Sequence, residues 1–101
     1  MTSWLEQLKE EHSVGRADIV GGVCRRIERY PRENVVHASW PSEEFWAEMG
    51  RKHLGYGDPE GCSFTVWTKD RVYFPAWYDS SEWITSVPRD PCDEATAHVG
   101  R

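Results

Sequence analysis

Three cysteines and four histidines are the side chains of this 101-residue chain best suited to bind a metal or attack a substrate. His53, Cys62, Cys92 and His98 are the set that could converge on a metal ion, because the elements carrying them could lie side by side. Structural zinc sites hold the chain in short clips, with paired ligands two to four residues apart. Here the gaps are eight, twenty-nine and five residues, which is not that pattern. The expectation is therefore no cofactor, and a small zinc-stabilised domain is the alternative these four residues would support. Cys92 falls at a predicted helix start, which favours a thiolate, but Asp90, Asp93 and Glu94 surround it with negative charge and disfavour one. Gly55 and Gly57 lack the preceding strand and following helix that a phosphate loop requires. Asp70, Asp79 and Glu82 fall in turns, where acids serve turn geometry. Nothing here assembles an active site, and a protein without enzymatic activity is expected.

Two other groups point to binding. Arg25, Arg26, Arg29 and Arg32 cluster in a segment whose apolar residues recur at helical spacing. A cationic helix face of that kind could hold phosphates or an acidic partner, and its plain alternative is a solvated surface. Residues 16–32 carry five arginines against Asp18 and Glu28, giving +3, on a chain whose net charge is −5. The second group is aromatic. Phe64, Val66, Tyr73, Trp77 and Ile84 share one face of a predicted β-meander, while Trp67, Val72, Phe74, Ala76, Tyr78, Trp83 and Val87 share the other. Both faces are apolar, so one needs a layer of helices and the other a second cover. The first of these faces, Phe64, Tyr73, Trp77 and Ile84, is the expected protein-binding patch if the helices leave it bare. If they cover it, Trp4, Leu5, Leu8, Ile19, Val23 and Ile27 form the facing layer.

The elements that position these groups follow from periodicity. Trp4, Leu5 and Leu8 mark a helix from Ser3 to about His12. Ile19, Val20, Val23, Cys24, Ile27 and Tyr30 repeat at 3.6-residue spacing and predict a second helix from Asp18 to Tyr30, although Gly21-Gly22 within it costs about 1 kcal/mol per glycine relative to alanine. Close backbone packing, or a strand in place of the helix, is the other reading of that glycine pair. Residues 34–38 are a short strand candidate. Pro41 to Glu44 opens a third helix burying Phe45, Trp46, Met49 and either His53 or Leu54, and Gly55 and Gly57 end it. The meander spans 62–87, with Pro75 in its middle strand requiring a bulge or the loss of one neighbour. Asp90-Pro91 starts a short C-terminal helix to about Val99.

The expected architecture is a single α+β domain over residues 1–101, with N-terminal helices packed on a three- or four-stranded antiparallel sheet. From residue 42 onward, the order helix, three strands, helix resembles that of double-stranded-RNA-binding domains. The last helix, however, has no lysine or arginine to meet phosphates, so the resemblance implies no function. Three widely spaced cysteines and an acidic amphipathic N-terminus predict a reducing cytoplasm and no membrane partner. The functional expectation is a small acidic binding or regulatory protein, monomeric or homodimeric, that occupies a protein partner, in the manner of a phage or mobile-element inhibitor of a host complex. Nucleic-acid association through the arginines is the alternative.

Overall fold

The structure is a computed structural model, and it describes residues 2–27, 35–53, 61–90, 92 and 94–97. The first helix, α1 (Trp4–His12), starts where the sequence places it. Ser3 Oγ accepts the Glu6 N–H at 3.2 Å, satisfying one donor that a helix start leaves over. Trp4, Gln7 and Leu8 form its buried side, and Ser13, at φ 58°, turns the chain out of it. A 3-10 turn, Arg16–Asp18, follows.

The second predicted helix is a strand. β1 runs Gly21–Ile27, and the glycine pair explains why. A Cβ on Gly21 would stand 2.2 Å from Trp67 Cζ2, and one on Gly22 would stand 2.9 Å from Phe45 Cζ. Neighbouring strand residues face opposite sides of a sheet. Two adjacent glycines therefore let an aromatic ring close onto β1 from each side, which a helix could not use. Tertiary packing outweighed a helical period that was present in the sequence.

β2 (Val35–Ser39) confirms the short strand candidate and pairs with β1. A cis Trp40–Pro41 peptide leads into α2 (Glu43–Met49), where Ser42 Oγ accepts the Phe45 N–H at 3.1 Å. The helix stops at Gly50, before Gly55 and Gly57, which lie outside the described residues. His53 is buried as expected, but in an extended bridge to Thr2 and not on the helix. Leu54 also lies outside the described residues.

The meander is β3 (Ser63–Trp67), β4 (Arg71–Tyr78) and β5 (Ser81–Pro88). It joins β1 and β2 in one five-stranded antiparallel sheet of order β2-β1-β3-β4-β5. The α+β class holds. The expected three or four strands become five, because the segment taken for the second helix supplies one. No helix forms at residues 92 and 94–97 of the predicted C-terminal helix, and the remainder of that helix lies outside the described residues.

Asp79 and Ser80 have φ of 51° and 64°, the double left-handed pattern of a type I′ two-residue hairpin turn. Counting back from the closing pair Tyr78↔Ser81 by alternation, Pro75 faces Ile84 in a non-hydrogen-bonded pair. Its missing N–H therefore points away from β5. On that side β3 pairs with β4 only at Val66↔Tyr73 and Trp67↔Val72, so no ladder bond is lost. The middle strand leaves one neighbour at Pro75, as the sequence requires. The same alternation turns the backbone of Glu82, Ile84, Ser86 and Pro88 toward the free edge of β5. There His12 Nε2 donates to Ile84 O at 3.2 Å, Arg71 Nη2 donates to Ser86 O at 3.3 Å, and Pro88 has no donor to offer. A long bare edge would recruit other strands, and these contacts occupy two of its acceptors, Ile84 O and Ser86 O.

Both helices lie on one face of the sheet. Trp4 packs on Phe64 with ring centroids 5.2 Å apart, and its Nε1 donates to Cys62 O at 2.9 Å. His12 meets Tyr73 edge-on at 5.4 Å, while Phe45 and Met49 of α2 are fully buried. Substituting Gly22→Ala is expected to destabilise the fold by about 1–3 kcal/mol, since Phe45 has no room to retreat from the new methyl. Urea unfolding checks this, and a variant as stable as the parent would show that Phe45 does not depend on the glycine.

Candidate functional site

Strand alternation and register sort every sheet residue to the helix-covered inner face or to the outer face. The inner face takes Cys24, Arg26, Phe64, Val66, Tyr73 and Ile84. Phe64, Tyr73 and Ile84 are only 5%, 6% and 4% exposed, under the helices. Three of the four residues of the expected binding patch are therefore core, and no partner reaches them in this fold. Trp77, the fourth, lies toward the hairpin tip and stays 43% exposed.

The outer face carries the other meander set. Trp67 on β3, Val72, Phe74, Ala76 and Tyr78 on β4, and Trp83 and Val87 on β5 line up by the observed cross-strand pairs, Trp67↔Val72, Val72↔Val87 and Ala76↔Trp83 among them. All are half-buried except Tyr78, which is 52% exposed. Neither helix touches this face, since α1 and α2 spend their apolar sides on the inner one. Among the described residues the aromatic ridge has no layer over it.

Across β2, β1 and β3 the outer face changes character. His37, Arg25 and Ser63 form one transverse row, and Ser39, Val23 and Thr65 form the next. Such cross-strand neighbours have Cβ atoms about 4.5–5.5 Å apart. Val23, Arg25, His37, Ser63 and Thr65 line a shallow hollow of about 220 Å³ with Cys24 and Phe64. Reading the alternation over all five strands, the outer face holds no carboxylate among the described residues. Its charged or chargeable positions are Arg25, His37 and the Tyr78 phenol.

The expected arginine cluster is split by the same alternation. Arg25 is exposed on the outer face, whereas Arg26 points inward, and its Nε donates to Glu48 Oε1 at 2.7 Å. Arg26 and Glu48 side chains are only 17% and 8% exposed, so this ion pair sits at the margin of the core. Arg29 and Arg32 lie outside the described residues. A common cationic helix face does not exist, because residues 21–27 are a strand.

The metal candidates separate likewise. His53 is buried beside Trp4 at 4.4 Å between ring centroids, with no partner for Nε2 among the described residues. Cys62 is buried in the core, its Sγ 4.0 Å from Met49 Sδ, while Cys92 is exposed. His98 lies outside the described residues. Among the described residues no three His, Cys, Asp or Glu side chains form a group able to hold a metal. Burial pushes the Cys62 thiol up to about 12, with Cys24 and Glu48 adding to the rise. Burial, then Glu48, raises Cys24 as well. These thiols are packing groups that stay protonated, not nucleophiles.

Alternation sorted the meander residues to the correct faces, but the face expected to bind a partner is the one the helices cover. The missed signal was Arg25. Once residues 21–27 are read as a strand, Arg25 marks its own face as wet and Cys24 marks the opposite face as core. No helix of the described residues is long and apolar enough to cross a membrane. Compared with known proteins, the chain matches no family model, no curated protein and no solved structure.

Two outcomes follow from the thiols. A thiol reagent should modify Cys92 rapidly in the native chain and reach Cys24 and Cys62 only on unfolding; fast reaction of all three would place the buried pair at the surface. A raised thiol pKa contributes stability that is full below the unfolded value and lost as pH climbs toward the folded one. Stability should therefore fall between about pH 9 and about pH 12, and fall less in Cys62→Ala, as followed by chemical denaturation at each pH.

Proposed function

We propose that this chain is a binding protein that works by presenting the outer face of its sheet to a macromolecular partner, with no substrate turned over. The observation behind this reading is an aromatic ridge on a sheet face with no carboxylate and no covering layer among the described residues. An antiparallel sheet with one wet side ordinarily alternates to polar residues there. Here Trp67, Phe74, Tyr78 and Trp83 occupy that side. Large rings bring much contact area at small entropy cost, which is why they dominate binding hot spots. Occupying a partner's surface is also how a small regulator or inhibitor acts, and it needs no catalytic group.

The Trp83→Ala, Phe74→Ala double variant tests the reading. It should keep its far-UV circular dichroism and lose no more than about 1 kcal/mol per cross-strand pair removed. Phe64→Ala on the inner face should instead lose about 3–5 kcal/mol. Partner capture by the tagged chain should disappear with the double variant. Should the double variant unfold like Phe64→Ala, the outer face would be core and the reading would fail.

A further inference from the structure

The outer face has two unlike halves, and one ligand chemistry suits both. We propose that its occupant is single-stranded nucleic acid, with bases stacked on Trp67, Phe74 and Trp83 and a phosphate held in the hollow between Arg25 and His37. This inference rests on the open-face reading above.

The ridge first. Three ring atoms of Trp67 fall within 2.5 Å of the place a Gly21 Cβ would take, so its indole lies over the glycine backbone and turns its other side away from β1. Phe74 and Trp83 follow on the next two strands. Strands lie about 4.8 Å apart and rise about 3.3 Å per residue, and by register the three rings sit at the levels of Val72, Phe74 and Ala76 of β4, so they run diagonally over about 10 Å across the sheet and about 13 Å along it. Unpaired bases have flat faces that stack on such rings whatever their sequence. Bases inside a duplex are already stacked and present only their edges, which a ridge of rings does not read.

The hollow next. Arg25 is exposed, and it makes no ion pair with a described residue. On a chain of net charge −5 its face carries no carboxylate among the described residues, which leaves Arg25 suited to an anionic ligand, although His37 also borders a hollow lined by Glu44 and Glu48. His37 stands directly across from Arg25 on one side and Ser63 on the other, with Thr65 one row further along, which adds donors for phosphate oxygens and for a sugar hydroxyl. The acidic remainder of the molecule opposes phosphates. Affinity must therefore come mainly from stacking, with one or two phosphates neutralised.

That balance makes the proposal quantitative. Single-strand binding that neutralises one or two phosphates has a slope of log K against log salt of about −0.7 to −1.4. The test titrates short labelled oligothymidylate and oligouridylate with the intact chain, following anisotropy and tryptophan quenching across a salt series. Both probes should bind. Trp83→Ala should weaken binding about 5- to 150-fold, Trp83→Phe should retain most of it, and Arg25→Ala should flatten the salt slope by about 0.7. Stronger binding of oligouridylate would point to RNA through the 2′-hydroxyl, and equal binding to a strand held by bases and phosphate alone. The proposal is overturned by absence of binding, by binding indifferent to Trp83→Ala and Phe74→Ala, by a duplex bound as tightly, or by a slope steeper than about −3. Suppose the oligonucleotides fail while sedimentation shows self-association that Trp83→Ala abolishes. The ridge would then belong to a second copy, the nucleic-acid proposal would be wrong, and the open face would stand. Unfolding of Trp83→Ala would instead defeat the open face itself, and Arg25→Ala, remote from the ridge, would still report on the oligonucleotide.

Discussion

Two rings press on one strand from opposite sides, and the rest of the molecule is arranged around that contact. Phe45 closes on Gly22 from the inner face and Trp67 on Gly21 from the outer. The first contact fixes α2 over β1 and so sets the depth of the core, bringing Met49 and Glu48 down with it. The second seats an indole on the outer face with no helix of the described residues above it. A side chain at either glycine would push one of these layers away, because protein interiors leave no slack for an extra methyl. Close approach on both sides is what the conformational freedom lost by the two glycines secures.

With β1 in place, strict alternation decides what the charges do. Arg25 and Arg26 are neighbours in sequence and strangers in space, one in the solvent of the outer face and one against a nearly buried carboxylate. Glu48 is tolerated in that position because Arg26 bonds it at 2.7 Å, and removing one partner of a nearly buried ion pair leaves the other uncompensated. The same Glu48 charge reaches Cys24 and Cys62 and helps keep both thiols protonated. Among the described residues, negative charge is thus held on the inner and peripheral sides, and the outer face is left with donors and rings. That segregation is what supports the proposed ligand, which would bring both an anion and a flat apolar surface.

The hairpin end of the sheet solves a different problem. β4 has to carry Pro75, and β5 has to end the sheet without inviting another strand. The type I′ turn sets the register so that Pro75 falls where β5 asks nothing of it, and β3 has already parted from β4 on the other side. His12, Arg71 and Pro88 then occupy or remove hydrogen-bonding groups along the free edge.

The sequence by itself determined the local elements whose signals are short-range. Ser3 and Ser42 cap their helices through hydroxyls one turn from the N–H groups they satisfy, and alternation in the meander sorted Trp67, Phe74 and Trp83 from Phe64, Tyr73 and Ile84. The Pro75 difficulty was also readable, because a missing donor restricts pairing wherever the residue sits, but the choice between a bulge and the loss of one neighbour needed the register. Only the tertiary structure decided that residues 21–27 are a strand, since Ile19, Val20, Val23 and Cys24 satisfy a helical period and the rings of Phe45 and Trp67 that exclude it come from distant segments. That one decision added the strand between β2 and β3, split the arginines, and gave the sheet its wet half. It also chose which apolar face the helices cover. Periodicity states that two faces are apolar, but the choice depends on where α1 and α2 dock, and docking is set by contacts between residues far apart in the chain.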